Sequence, residues 1–236
     1  MIVCRNNNID IDNLNRIRRC NNLGIYKKWI LNDIDEYSLL CDCLEKINYS
    51  SQDLKYEIAE LVEINRKSIV YIITLADWIL GAYNRIKSLI RKDVIDDFKY
   101  EREDYFIDAE AYFKAIRSFV IAHPTKTTSH PKYGFDGNYI CADIRNHRKD
   151  ITFPFVKQDR IKYISFNGMF EKKIFEPDFY LYVYSKKDTG MRFYSYVGVN
   201  YCDIYNVANV IIDKICELDT FLSKVKKRQY VCKGES

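Results

Sequence analysis

The run Ile69-Val-Tyr-Ile-Ile-Thr-Leu-Ala-Asp-Trp-Ile-Leu-Gly-Ala-Tyr-Asn-Arg-Ile-Lys-Ser-Leu-Ile90 decides the fold class. Its apolar residues Ile69, Ile72, Ala76, Ile79, Tyr83, Ile86 and Ile90 recur every three or four positions, the period of a helix with one buried face. Ile58, Leu61 and Asn65 extend the stripe upstream, and no proline interrupts residues 52–91. A continuous helix there would be about 60 Å long, more than an ordinary domain holds, so a break is expected at Asn65-Arg66-Lys67. Gly81 lowers helix propensity but would let a neighbouring helix approach closely.

The neighbouring segments repeat the pattern. Leu14, Ile17 and Leu23 suggest a short helix ending near Gly24. Ile34, Tyr37, Leu40, Leu44 and Ile47 predict a helix that follows Asp33 and stops at Ser50-Ser51. A further helix is expected to start at Asp108, whose carboxylate suits an N-cap. Tyr112, Ile116, Phe119 and Val120 give it a buried stripe. It should end at Ala122 or His123, because Pro124 disfavours the α conformation in the residue before it.

Beyond residue 137 the period shortens. Tyr139–Ile144, Ile151–Val156, Ile161–Phe166, Phe179–Tyr184 and Arg192–Val197 read as strands, the last two joined as a hairpin across Lys186–Gly190. Asp203 should cap a final helix through Val225, followed by Lys226-Lys227-Arg228 at the negative end of its dipole. The expected fold is α+β and mainly α: a helical bundle (residues 9–124 and 203–226) with a β-rich insertion (137–200) before the last helix. The whole of 1–236 is read as a single domain.

Composition sets limits on function. With 236 residues, 47% of them apolar, the chain has enough material for a real core. Apolar runs such as Ile69–Leu80 are interrupted by Thr74 and Asp77, so no segment reads as a membrane span, and the N-terminus lacks the layout of a signal peptide. A cytoplasmic protein with no membrane partner is the expectation. The eight cysteines form no C-x-x-C pair and read as small buried hydrophobes in a reducing compartment.

Net charge is only +4, but its distribution is uneven. Residues 111–135 hold Lys114, Arg117, Lys126 and Lys132 and no acid; a second basic cluster runs from Arg145 to Lys162. Such patches attract polyanions, although a solvated basic face is equally ordinary. Within the first lie Arg117 and His123. A guanidinium can hold a phosphate and neutralise charge growing on it, and an imidazole can move a proton near neutral pH. Six residues rotate a regular helix by roughly 240°, so the two converge only if the helix breaks or a second subunit supplies a partner.

Arg117-Ser-Phe-Val-Ile-Ala-His123, at the end of a bundle helix, resembles the signature of the HEPN superfamily: arginine, four to six residues, then histidine. Ser118 departs from the Asn, Asp or His that often follows the arginine. The resemblance covers residues 33–124 and 203–226 and leaves the insertion unexplained. It implies a metal-independent, cofactor-free endoribonuclease acting as a homodimer, with Arg117 and His123 catalytic and the RNA 2′-hydroxyl attacking the phosphorus. It also implies a toxin or phage-defence role, with an antitoxin or other protein partner. The alternative is a non-catalytic HEPN-like RNA- or protein-binding module.

Three other features admit two readings each. Lys126, His130, Lys132 and Tyr133, in the loop after Pro124, are candidate RNA-binding residues, or parts of an ordinary turn-rich loop. His123, His130, Asp136, Cys141, Asp143 and His147 fall close together, but no recognised zinc spacing is present, so no metal is expected. The tyrosine-rich strands read as a base-stacking surface, or as an ordinary sheet with one wet face or an interface.

Overall fold

The computed structural model describes residues 24–59, 65–122, 130–133, 135, 139–145, 161–165, 168–170, 177–186 and 192–227. The fold is α+β and mainly α, with the strands placed before the last helix. Four long helices dominate: α1 (Tyr37–Ala59), α2 (Arg66–Leu89), α3 (Glu103–Arg117) and α4 (Tyr201–Lys224). Among the described residues five strands follow α3: β1 (Tyr139–Arg145), β2 (Ile161–Ser165), β3 (Gly168–Phe170), β4 (Phe179–Lys186) and β5 (Arg192–Val199). The chain forms two compact units, one from the described residues of 56–74 and 107–207, the other from those of 24–55, 75–106 and 208–227.

The first unit holds the sheet, in the order β1-β4-β5-β2-β3. The expected hairpin pairs β4 with β5 antiparallel, Phe179 opposite Val199 and Lys186 opposite Arg192. The β2–β5 pairing is parallel, which makes the sheet mixed. Strand β3, unread in the sequence, pairs with β2, while the predicted strand Ile151–Val156 lies outside the described residues. Five consecutive β4 residues, Phe179 to Val183, are buried. Successive strand side chains point to opposite faces, so both faces of this strand are covered and the expected wet face is absent there. Tyr182 and Tyr196 pack ring to ring 5.1 Å apart, inside rather than on a stacking surface.

The expected break is found at the start of α2. The Asn65 side chain accepts from the Ser68 backbone N–H (3.0 Å), and Ser68 Oγ contacts the Asn65 backbone in return. This reciprocal arrangement satisfies amide groups that an open first turn leaves free. A bulge in β1 between Cys141 and Asp143 accompanies the Asp143 contact with Arg66 (2.8 Å), whose Nε also donates to the Ile144 carbonyl.

In the second unit, Asp33 caps the turn Ile34–Glu36 that leads into α1. Helix α1 does not stop at Ser50-Ser51 as predicted: both serines are buried inside it, small enough for close packing. Propensity yields here to tertiary burial. The predicted helix ending near Gly24 lies outside the described residues up to position 23; Gly24 itself opens a 3-10 turn. A Cβ on Gly24 would come within 2.2 Å of the Ser223 backbone nitrogen, so only glycine allows this approach to α4. Beside it Ile25 N–H donates to buried Asp219 (2.9 Å), and Lys27 Nζ donates to the carbonyls of Leu222 and Ser223. Lys27 thus supplies the cation at the helix C-terminus.

Helix α2 corrects one expectation. By length and composition it is apolar enough to cross a bilayer. Ile69, Ile72, Ile73, Ala76, Ile79 and Ile86 are each fully buried in protein, while Arg85 and Lys87 are exposed. Burying each of these isoleucines contributes about 1.5–3 kcal/mol. Of the cysteines, Cys43 and Cys216 are buried thiols, and burial pushes Cys141 up to about 12. Such thiols are unreactive.

Candidate functional site

Helix α3 begins at Glu103, five residues before the predicted start, so Asp108 is an interior residue and not its cap. Glu103 and Asp104 in the first turn and Lys114 and Arg117 in the last match the helix dipole at both ends. Ala109, Tyr112, Phe113, Ile116 and Phe119 are buried, which fixes the face on which the last turn lies. Arg117 is the final α-helical residue, half-buried, with its Nε enclosed.

From Ser118 to Ala122 the backbone widens into a π-helical turn. Ser118 Oγ donates to the Ala115 carbonyl (2.8 Å), a local bond that competes with the regular ladder. Widening to i→i+5 bonding changes the register, so the geometry of a regular helix no longer holds across Ser118–Ala122. Single π turns are found disproportionately at functional sites.

The same serine oxygen lies 2.8 Å from His130 Nε2. A hydroxyl that donates to Ala115 accepts from Nε2–H, which is the arrangement of the Nε2 tautomer of a neutral imidazole. Burial lowers the His130 pKa below its ordinary 6.5, which favours that neutral form. In this arrangement His130 does not act as a base on Ser118, and the serine is not an activated nucleophile. Its role is to join the π turn to the loop.

The loop is closed by its own bonds: His130 N–H to Phe135 O (2.7 Å) and Phe135 N–H back to His130 O (3.2 Å). Phe119 packs edge-on against Phe135 and lies beside the His130 ring. Tyr133 is 1% exposed, its ring edge-on to Tyr112, so it offers no face to a base. Lys132 pairs with Asp108 at 2.5 Å. The acid-free window of 111–135 is thus not acid-free in space: Asp108 neutralises Lys132, and Glu110 lies 3.1 Å from Lys114.

Two acidic side chains meet at the buried Tyr112 of α3. Asp203, expected as a cap, lies within the first turn of α4, and Asp178 Oδ2 instead accepts from the Tyr201 N–H at 2.8 Å. Burial is the main cause that pushes Asp203 from 3.8 up to about 7; Asp178 adds to the rise, and the Tyr112 hydroxyl opposes it. Burial likewise raises Asp178, and raises the Tyr112 and Tyr133 hydroxyls well above their usual value. A carboxyl titrating near neutrality suits proton transfer, but this one faces a fully buried tyrosine. No spacing rule joins Asp178, Tyr112 and Asp203; strand β4 and two helices bring them together.

His123 and Lys126 lie outside the described residues, as do Asp136 and His147. Among the described residues no group of three His, Cys, Asp or Glu could hold a metal ion. Asp143 is engaged by Arg66, and Cys141 Sγ points to the Asp143 carbonyl. No protein-family model, curated protein or solved structure matches this chain.

Proposed function

We propose that this protein is a metal-independent endoribonuclease, with Arg117 and His123 from two copies of the chain meeting at one phosphodiester. The observation that supports the reading is the π turn that ends α3 directly after Arg117. A π turn departs from α-helical register, as a convergent Arg–His pair requires. The RNA 2′-hydroxyl attacks phosphorus and the 5′-oxygen leaves, giving a cyclic phosphate and a free 5′-hydroxyl. Arg117 stabilises the negative charge of the pentacoordinate state, and His123 transfers the proton. A toxin or phage-defence role, with a restraining protein partner, fits such an activity.

The test is incubation with single-stranded RNA in EDTA. Cleavage is expected, with loss of about a hundredfold or more in His123→Ala and Arg117→Ala, and none on DNA. Full cleavage by His123→Ala rejects the assignment. The second reading is a binding module without catalysis; with Tyr133 in the core and Lys132 paired, any RNA contact would have to come from residues other than these two. RNA binding without cleavage in the wild type would select it.

A further inference from the structure

Gly81 lies inside α2, where glycine is the least favourable residue after proline, and the neighbouring helix expected against it is absent among the described residues. A Cβ there would meet no described atom within 4 Å, and the position is exposed. The surface around it is apolar. Of the seven large apolar side chains exposed among the described residues, five (Tyr49, Tyr56, Val70, Tyr71 and Trp78) lie on α1 and α2. Exposed apolar surface gathered in this way marks an interaction face. Trp78 meets Tyr49 edge-on at 6.4 Å, and the Lys46 ammonium stands 4.6 Å over its ring, yet Trp78 is still 38% exposed.

Large and small residues alternate along this face of α2: Tyr71, Thr74, Trp78, Gly81, Arg85 and Ser88, spaced by three and four. That is the spacing of a seam that receives a second helix. An antiparallel copy, related by a two-fold axis between Ile79 and Leu80, sets each large residue against a small one. Trp78 comes opposite the partner's Gly81, Tyr71 opposite the partner's Ser88, and Arg85 opposite the partner's Thr74. The same axis brings Asp77 within a turn of the partner's Arg85, whose side chain is 49% exposed beyond its Glu36 contact. A parallel pair would instead set Trp78 against Trp78 and Arg85 against Arg85. We propose that this face of α2 is a homodimer interface, in which two copies pack antiparallel with Trp78 of each seated on Gly81 of the other. The interface contains neither Arg117 nor His123 and stands apart from the ribonuclease reading.

Sedimentation equilibrium of the full chain between about 1 and 100 μM tests the proposal, and a dimer is expected in that range. Gly81→Leu fills open space in the single chain and raises helix propensity. It should therefore keep the wild-type helix content by circular dichroism while weakening the dimer by about tenfold or more. Gly81→Ala adds one methyl group and should weaken it less. Asp77→Arg, which sets like charge beside the partner's Arg85, should also weaken it. Dimerisation should persist in Arg117→Ala/His123→Ala, which separates this face from the Arg–His cleft. The proposal is overturned if the wild type is monomeric at about 100 μM, or if Gly81→Leu dimerises as the wild type does. It is equally overturned if Arg117→Ala/His123→Ala abolishes the dimer.

Discussion

Asp203 and Lys214 lie on the same helix, α4, and both are withdrawn from water, yet their surroundings treat charge in opposite ways. Lys214 has the Glu103 carboxylate at 2.5 Å and the face of Phe106 beneath its ammonium. Asp203 has another carboxylate, Asp178, as its charged neighbour, and only a tyrosine hydroxyl that favours ionisation. Burial penalises either ion; what differs is whether the neighbours oppose the charge or share its sign. The lysine site is built to keep a charge, and the aspartate site gives one up near neutral pH.

The sharpest test is the pH dependence of stability. Because Asp203 is raised to about 7, the folded protein holds a proton there that the unfolded chain releases near pH 4. Its contribution is present below about pH 4 and is lost as pH rises to about 7. Asp203→Asn should therefore stabilise the protein at pH 8 by on the order of 2–4 kcal/mol relative to pH 4, read from urea midpoints at both values. An unchanged slope in the asparagine variant would break the contrast.

A smaller effect is expected at the lysine. Glu103→Gln leaves the buried ammonium without its carboxylate and should cost about 2 kcal/mol, a value reduced because Glu103 is 48% exposed and water can replace part of it. Lys214→Met keeps the apolar stem and leaves a solvated glutamate, so it should cost less than about 1 kcal/mol. Equal losses would mean that packing, and not charge, sets the behaviour of this site. The smallest effect belongs to the exposed pair: Lys132→Ala should shift stability by less than about 0.5 kcal/mol. It should leave the pH slope untouched.

Local signals were legible where local physics governs. The α2 stripe and its break at Asn65 follow from the helical period and from capping within four residues. Helix α3 gives way to a π turn at Ser118, five residues short of the end at Ala122 or His123 read from Pro124, where Ser118 bonds back to Ala115. Readings failed where a distant partner overrides a local preference. Ser50-Ser51 looked like a stop, but packing retains them within α1. Asp108 and Asp203 looked like caps; one meets Lys132 and the other Tyr112, through contacts that no local rule anticipates. Lys27 reaches the last carbonyls of α4 from 195 residues away.

The order of residues alone determined the helical stripes, the β4–β5 hairpin and the position of Arg117 at a helix end, since each depends on neighbours within a few positions. Only the tertiary structure decided that His130 bonds to Ser118, that Asp203 faces like charge, and that Gly81 faces open space. Burial and charge pairing act through space, so a residue's ionisation and availability are set by whatever the fold brings against it.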